Sequence, residues 1–262
     1  MSLYLDKDFY KNKTISIVGP ANYLQKNNFG KAIDDSDIVV RLNKSLDHLN
    51  QDLRLNLGSK SDILYHCMQE DSKDSHGGHF GFIKPEFWLK KGIKQVFSLP
   101  NSSFNGIASQ NQYSPCVKLE NVKNVKRYLP LDMIDYNLYN DLSKRIRCKP
   151  NTGIIAIHHL LNLTEQRKCL KIYGFSFLLD GYYDMYKKGL ETMKENVGKT
   201  YDECVKGFLN SKRHIQSNQW LYIKELLNKD TIEIDPILTR VLEMKSFSIE
   251  EFSKINLTLK QL

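Results

Sequence analysis

Four short stretches of this chain carry residue types that can do chemistry. His214 stands at the head of Lys212 to Asn228, which has the spacing of an amphipathic helix. An imidazole has an ordinary pKa of about 6.5, so near neutral pH it can take a proton from a hydroxyl as a general base. The positive end of a helix lowers that pKa and keeps the ring neutral. Pro150-Asn151-Thr152-Gly153 opens an apolar helical stretch, Ile154 to Leu163. Asn151 or Thr152 can serve as its N-cap, and the free amides of the first turn suit a phosphate or a carboxylate. Gly19-Pro20 ends a β-branched run, with Asn22 just after it and Asn43 after the next such run. Gly181-Tyr182-Tyr183-Asp184 offers two phenol O–H donors. Taken singly, each stretch has a plainer reading: a solvated histidine, a capped core helix, an ordinary strand end, a pair of packing aromatics.

A scaffold has to bring these together. Thr14 to Val18 and Asp37 to Leu42 read as buried strands, followed by Ile63 to Cys67 and by Gln95 to Leu99, which Pro100 stops. Val125 to Leu129, Leu170 to Tyr173 and Thr231 to Ile234 complete the expected strands. Helices are expected over Lys84 to Lys91, Asp135 to Ile146, Ile154 to Leu163, Lys212 to Asn228, Pro236 to Met244 and Ile249 to Leu259. Gln69 to Gly81 and Asn101 to Ser114 are polar loops, and Asp180 to Asn210 suits helices with a lid-like loop. The sum is one α/β domain over residues 1–262, a Rossmann-like doubly wound sheet, mostly parallel, with helices on both faces. In such sheets ligands bind outside the carboxyl ends of the strands, which puts Gly19, Asn22 and Asn43 at the rim of one crevice.

Composition narrows the class. The chain has 262 residues, 41% hydrophobic and 26% charged, which is ordinary globular usage. It has no apolar run long enough to span a bilayer, and its first residues have no apolar signal core. Five scattered cysteines without a C-x-x-C pair favour reduced thiols and a cytoplasmic setting. The net charge of +8 points to an anionic partner. Its dispersal argues against nucleic acid and leaves a small anionic substrate or a membrane face. His66, Cys67, His76 and His79 match no zinc spacing, so no metal site is expected. His158-His159 lies inside the apolar helix and reads as core.

The order of the stretches adds to this. Val18-Gly19, Gly30, Ile33-Asp34, Asp37 and Val40-Arg41-Leu42-Asn43 resemble the large sialylmotif of the animal-type sialyltransferases. Lys149-Pro150-Asn151-Thr152-Gly153, an apolar helix and then Lys171-Ile172-Tyr173-Gly174-Phe175 resemble the small sialylmotif. Gly181-Tyr182-Tyr183-Asp184 is similar to the third motif, H-Y-Y-[D/E], with glycine in place of histidine. His214 to Gln219 is similar to the last motif, H-x-x-x-x-E, with glutamine in place of glutamate. Gly58-Ser59-Lys60-Ser61-Asp62 also resembles the family, with Lys60 or Ser61 toward the crevice.

The resemblance implies a soluble bacterial or viral member of that family, with a variant of the nucleotide-sugar glycosyltransferase fold. It implies an inverting transferase that moves sialic acid from CMP-sialic acid to a hydroxyl of a glycan or glycolipid acceptor. The CMP-sugar is the donor substrate, and neither metal nor separate cofactor is required. On this resemblance His214 is the general base, and Gly19, Asn22, Asn43, Asn151, Thr152, Gly153, Phe175, Tyr182 and Tyr183 bind substrate. A lipid-linked acceptor would place a cytoplasmic enzyme at the periphery of the inner membrane face. Two alternatives stand beside it: transfer of another CMP-activated acidic sugar such as Kdo, or a non-catalytic nucleotide- or glycan-binding domain. The lost motif histidine and Gln219 favour the latter.

Overall fold

The computed structural model describes residues 7–49, 53–69, 80–103, 106–108, 110, 112–163, 167–184, 186–187, 196, 198–227 and 231–259. Among these, seven strands form one sheet in which every pairing is parallel: β1 (Thr14–Val18), β2 (Ile38–Leu42), β3 (Ile63–His66), β4 (Gln95–Ser98), β5 (Leu131–Met133), β6 (Cys169–Tyr173) and β7 (Ile232–Ile234). Their order is β5-β4-β3-β2-β1-β6-β7. The chain therefore starts in the middle, lays strands outward to one edge, and returns to add β6 on the other side of β1. The order reverses between β1 and β6, and such a switch point opens a crevice at the carboxyl ends of the strands.

Side-chain alternation feeds both faces of the sheet. Ile15 and Ile17 of β1, Ile38 and Val40 of β2, and Ile63 and Tyr65 of β3 enter one core. Against that face pack α5 (Tyr136–Ile146), α6 (Thr152–Leu163), α8 (Gln216–Leu226), α9 (Pro236–Leu242) and α10 (Ile249–Ser253). The opposite face takes Val39, Leu64 and Val96, covered by α1 (Gly30–Asp34), α2 (Arg54–Leu57), α3 (Pro85–Lys90) and α4 (Leu119–Tyr128). A further helix, α7 (Tyr201–Leu209), follows β6. Both faces are covered, which is why the central strands read as near-continuous apolar runs.

Strands β1 and β6 run level, from Thr14 opposite Cys169 to Val18 opposite Tyr173. Beyond their ends the two chains stay together: Gly19 N donates to Tyr173 O at 2.8 Å and Ala21 N to Gly174 O at 3.1 Å. A Cβ on Gly19 would lie 2.4 Å from the Gly174 carbonyl oxygen. That neighbour is backbone and cannot swing aside. Gly19→Ala is expected to cost about 1–3 kcal/mol as overpacking. Urea unfolding checks it: the midpoint should fall while the slope holds.

The structure corrects several sequence expectations. Residues 125–129 are not a strand; Val125 lies in α4, and β5 follows at Leu131–Met133. Val122, Val125 and Leu129 are buried at helical spacing, so a short apolar run concealed a helix face. The helix expected from Lys212 begins only at Gln216, so His214 precedes it. The last helix ends at Ser253 rather than near Leu259. Lys60 and Ser61 do not face the crevice: Lys60 Nζ reaches the Ser36 and Asp37 carbonyls, and Ser61 is buried away from it. Arg41 of the first motif is also structural, donating from a buried guanidinium to the Leu57 and Lys60 carbonyls. Much of the polar loop 69–81, with His76 and His79, lies outside the described residues, as do 188–195 of the lid-like stretch.

Candidate functional site

The loops that leave the strands at their carboxyl ends enclose a cavity of about 770 Å³. Pro20 and Ala21 line it after β1, Leu42 and Asn43 at the end of β2, Cys67 after β3, Leu99 to Ser102 after β4, and Gly174 to Leu178 after β6. The start of α6 and the segment before α8 close the remaining wall, with Lys149 to Ile154, Arg213, His214 and Gln216.

The first turn of α6 is held from two sides. The Asn151 carbonyl accepts from Ile154 N at 3.0 Å and Ile155 N at 3.1 Å, so Asn151 is the N-cap residue by its backbone. Its own amide donates to Gln219 Oε1 at 2.9 Å, and its side chain donates to Gln216 Oε1 at 3.1 Å. Thus α8 clamps the start of α6. From the other side, Asn43 Nδ2 donates to Thr152 Oγ1 at 3.4 Å while its Oδ1 accepts from Cys67 N at 3.2 Å. Asn43 adopts a left-handed φ of 45°, which asparagine tolerates better than most residues. Among the described residues nothing accepts from the Thr152 or Gly153 amides. These two donors at the positive end of a 12-residue helix point to an anion.

Phe175 locks the two glycine turns to each other. A Cβ on Gly19 would meet Phe175 Cε2 at 3.0 Å, and one on Gly153 would meet Cε1 at 2.5 Å. The turns after β1 and before α6 therefore flank one ring. Their meeting is required for a single pocket, and the lack of side chains at both positions permits it.

His214 is oriented by its backbone neighbour. Its Nδ1 lies 2.8 Å from Lys149 O, and a carbonyl can only accept, so Nδ1 carries the proton. Nε2 is then the lone-pair nitrogen, and among the described residues it has no partner. Burial pushes the His214 pKa down to about 4; the Lys149 carbonyl opposes this, and the Lys149 and Arg213 cations add to it. The neutral ring was expected, but its cause is desolvation rather than a helix end, since α8 starts two residues later.

Seven of the expected site residues meet in this cavity: Asn43, Asn151, Thr152, Gly153, Phe175, Tyr182 and His214. Three do not line it. Gly19 is buried against Gly174 and Phe175, a packing position. Asn22 accepts from Gln25 at 2.9 Å, hydrogen-bonds Asp180, and bonds through its amide to Gly181 O, so it braces the turn before Tyr182. Tyr183 is 1% exposed and packs with Val18, Tyr23 and Leu24 under the pocket floor. Tyr186 takes its place on the wall, hydrogen-bonded by Asn43 and 5.0 Å from the Tyr182 ring. Its spacing of four from Tyr182 was the available sequence signal. Lys149 and Arg213 were also missed as wall residues, although they directly precede the Pro150 turn and His214.

Both departures from the motif pattern have local causes. Gly181 has φ 67°, and a Cβ there would come within 2.5 Å of the Tyr201 hydroxyl, which accepts from Tyr182 N at 2.6 Å. A histidine at this position would be strained and would displace Tyr201. Gln219 is fully buried and accepts from Asn151 N, while its Nε2 lies 3.5 Å from Ile215 O. A carboxylate could accept there but could not donate.

No protein-family model matches the chain, and no curated protein matches it. Among solved structures, the chain is similar to a mammalian sialyltransferase in complex with Gal-β-1-3GalNAc-ortho-nitrophenol, with a TM-score of 0.49 and 15% identity, over 88% of this chain and 72% of the other. It is also similar to a second structure of a mammalian sialyltransferase, with a TM-score of 0.45 and 17% identity, over 85% and 68% respectively.

Proposed function

We propose that this chain is an inverting glycosyltransferase that moves sialic acid from CMP-sialic acid to a hydroxyl of a glycan or glycolipid acceptor. One observation carries the reading: the open Nε2 of His214 shares a cavity with the two unused amides at the start of α6. A base for a hydroxyl and a cradle for a phosphate are what such a transfer needs. In the step itself, Nε2 takes the acceptor O–H proton. The acceptor oxygen bonds to the anomeric carbon, and the bond from that carbon to the phosphate oxygen breaks on the opposite face. CMP leaves with the electron pair. The Thr152 and Gly153 amides receive its negative charge, and fixed donors of this kind stabilise the transition state without reorganising. The cavity also holds the acceptor close to the anomeric carbon, which lowers the entropic part of the barrier. The leaving group is a monophosphate, so no metal is needed to bridge a diphosphate.

Gly181 and Gln219, the two departures that favour a non-catalytic binding domain, each serve the local backbone, and turnover in the assay below separates the two readings. CMP-Kdo shares the cytidine, the phosphate and the acidic sugar, so the assay includes both donors. Purified protein is incubated with each donor and a panel of glycans, and CMP release and thermal stability are followed. Transfer from CMP-sialic acid is expected, with the melting point rising with donor concentration by mass action. Because the base is neutral until His214 protonates, kcat/KM should hold from neutral pH downward and fall only near the His214 pKa of about 4. Failure of both donors to stabilise the protein or to release CMP would sink the proposal.

A further inference from the structure

Two cations on the cavity wall have no part in that reaction. Lys149 and Arg213 both line it, and they are tied together, Lys149 N donating to Arg213 O at 2.9 Å. Among the described residues neither side chain meets a carboxylate or any other acceptor. Two comparably buried lysines elsewhere in the fold are paired: Lys171 reaches Glu233 at 3.2 Å and Lys187 reaches Asp184 at 2.8 Å. None of the described residues on the cavity wall is an aspartate or glutamate. Lys149 is also largely withdrawn from water. Burial, and then Arg213, pull its pKa down to about 8. Desolvating a cation without an anion to meet it is costly, so the cost marks a place where a ligand supplies the anion.

We propose that Lys149 and Arg213 form an oxyanion-binding site beside His214 that takes the acidic groups of the substrate, the phosphate or the sugar carboxylate. The identity of that substrate rests on the CMP-sugar reading; the affinity for an oxyanion does not. Lys149 stands two residues before Asn151, which starts the helix with the free amides, and its carbonyl orients the base. Its charge also reaches His214, whose pKa it helps to lower. Arg213 adds an exposed guanidinium, whose planar fork suits a phosphate or carboxylate.

Binding is measured by calorimetry for wild type, Lys149→Gln, Lys149→Arg and Arg213→Gln, with inorganic pyrophosphate, cytidine, CMP and CMP-sialic acid. Arg213 is exposed, so its variant should fold whatever becomes of Lys149→Gln. The expected result is a loss of about tenfold or more in affinity for pyrophosphate and CMP on removing the Lys149 charge, with cytidine unchanged. If CMP holds and only CMP-sialic acid weakens, the site stands and the sugar carboxylate is its ligand. Wild-type affinity for pyrophosphate should fall as pH rises past about 8, while Lys149→Arg keeps it, because a guanidinium stays charged. Unchanged affinity for all three anions in both charge-removing variants overturns the proposal. So does a loss for cytidine as large as that for CMP. If no cytidine compound binds but pyrophosphate binds through Lys149, the anion site stands and the donor reading falls. If CMP-sialic acid is turned over and the variants bind it as wild type does, the reverse holds.

Discussion

Replacing His214 by asparagine is expected to slow sugar transfer about a hundred- to ten-thousandfold while donor affinity stays within about twofold of wild type. The amide of asparagine can still donate to the Lys149 carbonyl, as Nδ1 does now at 2.8 Å, so the segment before α8 keeps its anchor. What disappears is the basic atom at that place, Nε2. The acceptor hydroxyl must then attack without losing its proton to the protein. The donor contacts proposed at the start of α6 are the Thr152 and Gly153 amides, and the substitution does not touch them. Initial rates of transfer, together with calorimetric affinity for CMP, separate the two effects. A variant that keeps more than a tenth of the wild-type rate would remove His214 from the reaction. A variant that loses CMP binding as fully as turnover would make it a structural residue.

Asp235→Ala is expected to destabilise the fold by about 3–5 kcal/mol, more than overpacking at Gly19 does. Asp235 is 2% exposed, and its two oxygens do separate work. Oδ1 accepts from Ile237 N at 2.9 Å and Leu238 N at 2.8 Å, capping α9. Oδ2 accepts from the Tyr23 hydroxyl at 2.6 Å and from Gly174 N at 2.9 Å. Tyr23 in turn accepts from the Gly174 and Phe175 amides at 3.0 and 3.1 Å. Alanine leaves a helix cap and a buried phenol without their acceptor at once, and leaves the Gly174 amide with the Tyr23 hydroxyl alone. The loss reaches the cavity because Gly174 and Phe175 form its wall. Urea unfolding gives the stability change, and Tyr23→Phe gives the share that passes through the phenol. A loss under about 1 kcal/mol for Asp235→Ala would show that water replaces the carboxylate. In that case the Gly174 turn is held by the chain after β1 and by the Tyr23 hydroxyl.

The two substitutions test different levels of one arrangement. In the proposed reaction His214 acts at the reacting atoms, whereas Asp235 acts through the turn that carries Phe175. Phe175 is also the ring against which Gly19 and Gly153 close, so the fold around the switch point and the pocket share one small set of contacts. Overpacking at Gly19 and decapping at Asp235 are therefore expected to weaken ligand binding along with stability.

Several parts of this arrangement were legible in the residues alone. Strands β1 to β4, β6 and β7, the helix after Pro150 and the parallel sheet follow from runs of β-branched residues and from Gly and Pro punctuation, which act locally. Seven of the ten expected site residues also reach one cavity, because loops at the carboxyl ends of parallel strands converge whatever their sequence. The helix over Leu119–Tyr128 was concealed by a short apolar run in which strand and helix patterns coincide. Only the packed structure decided that Tyr183 goes under the floor while Tyr182 and Tyr186 line the wall. It also decided that Gly19 serves packing and that His214 precedes its helix with Nδ1 spent on Lys149. The Lys149 and Arg213 cations, ordinary surface residues by type, became wall residues by the same route. The reason is one of range. Strand and turn preferences are set by neighbours in sequence, but which side of a side chain meets water, and which cation goes without a partner, depend on contacts between segments such as Lys149 and His214, 65 residues apart.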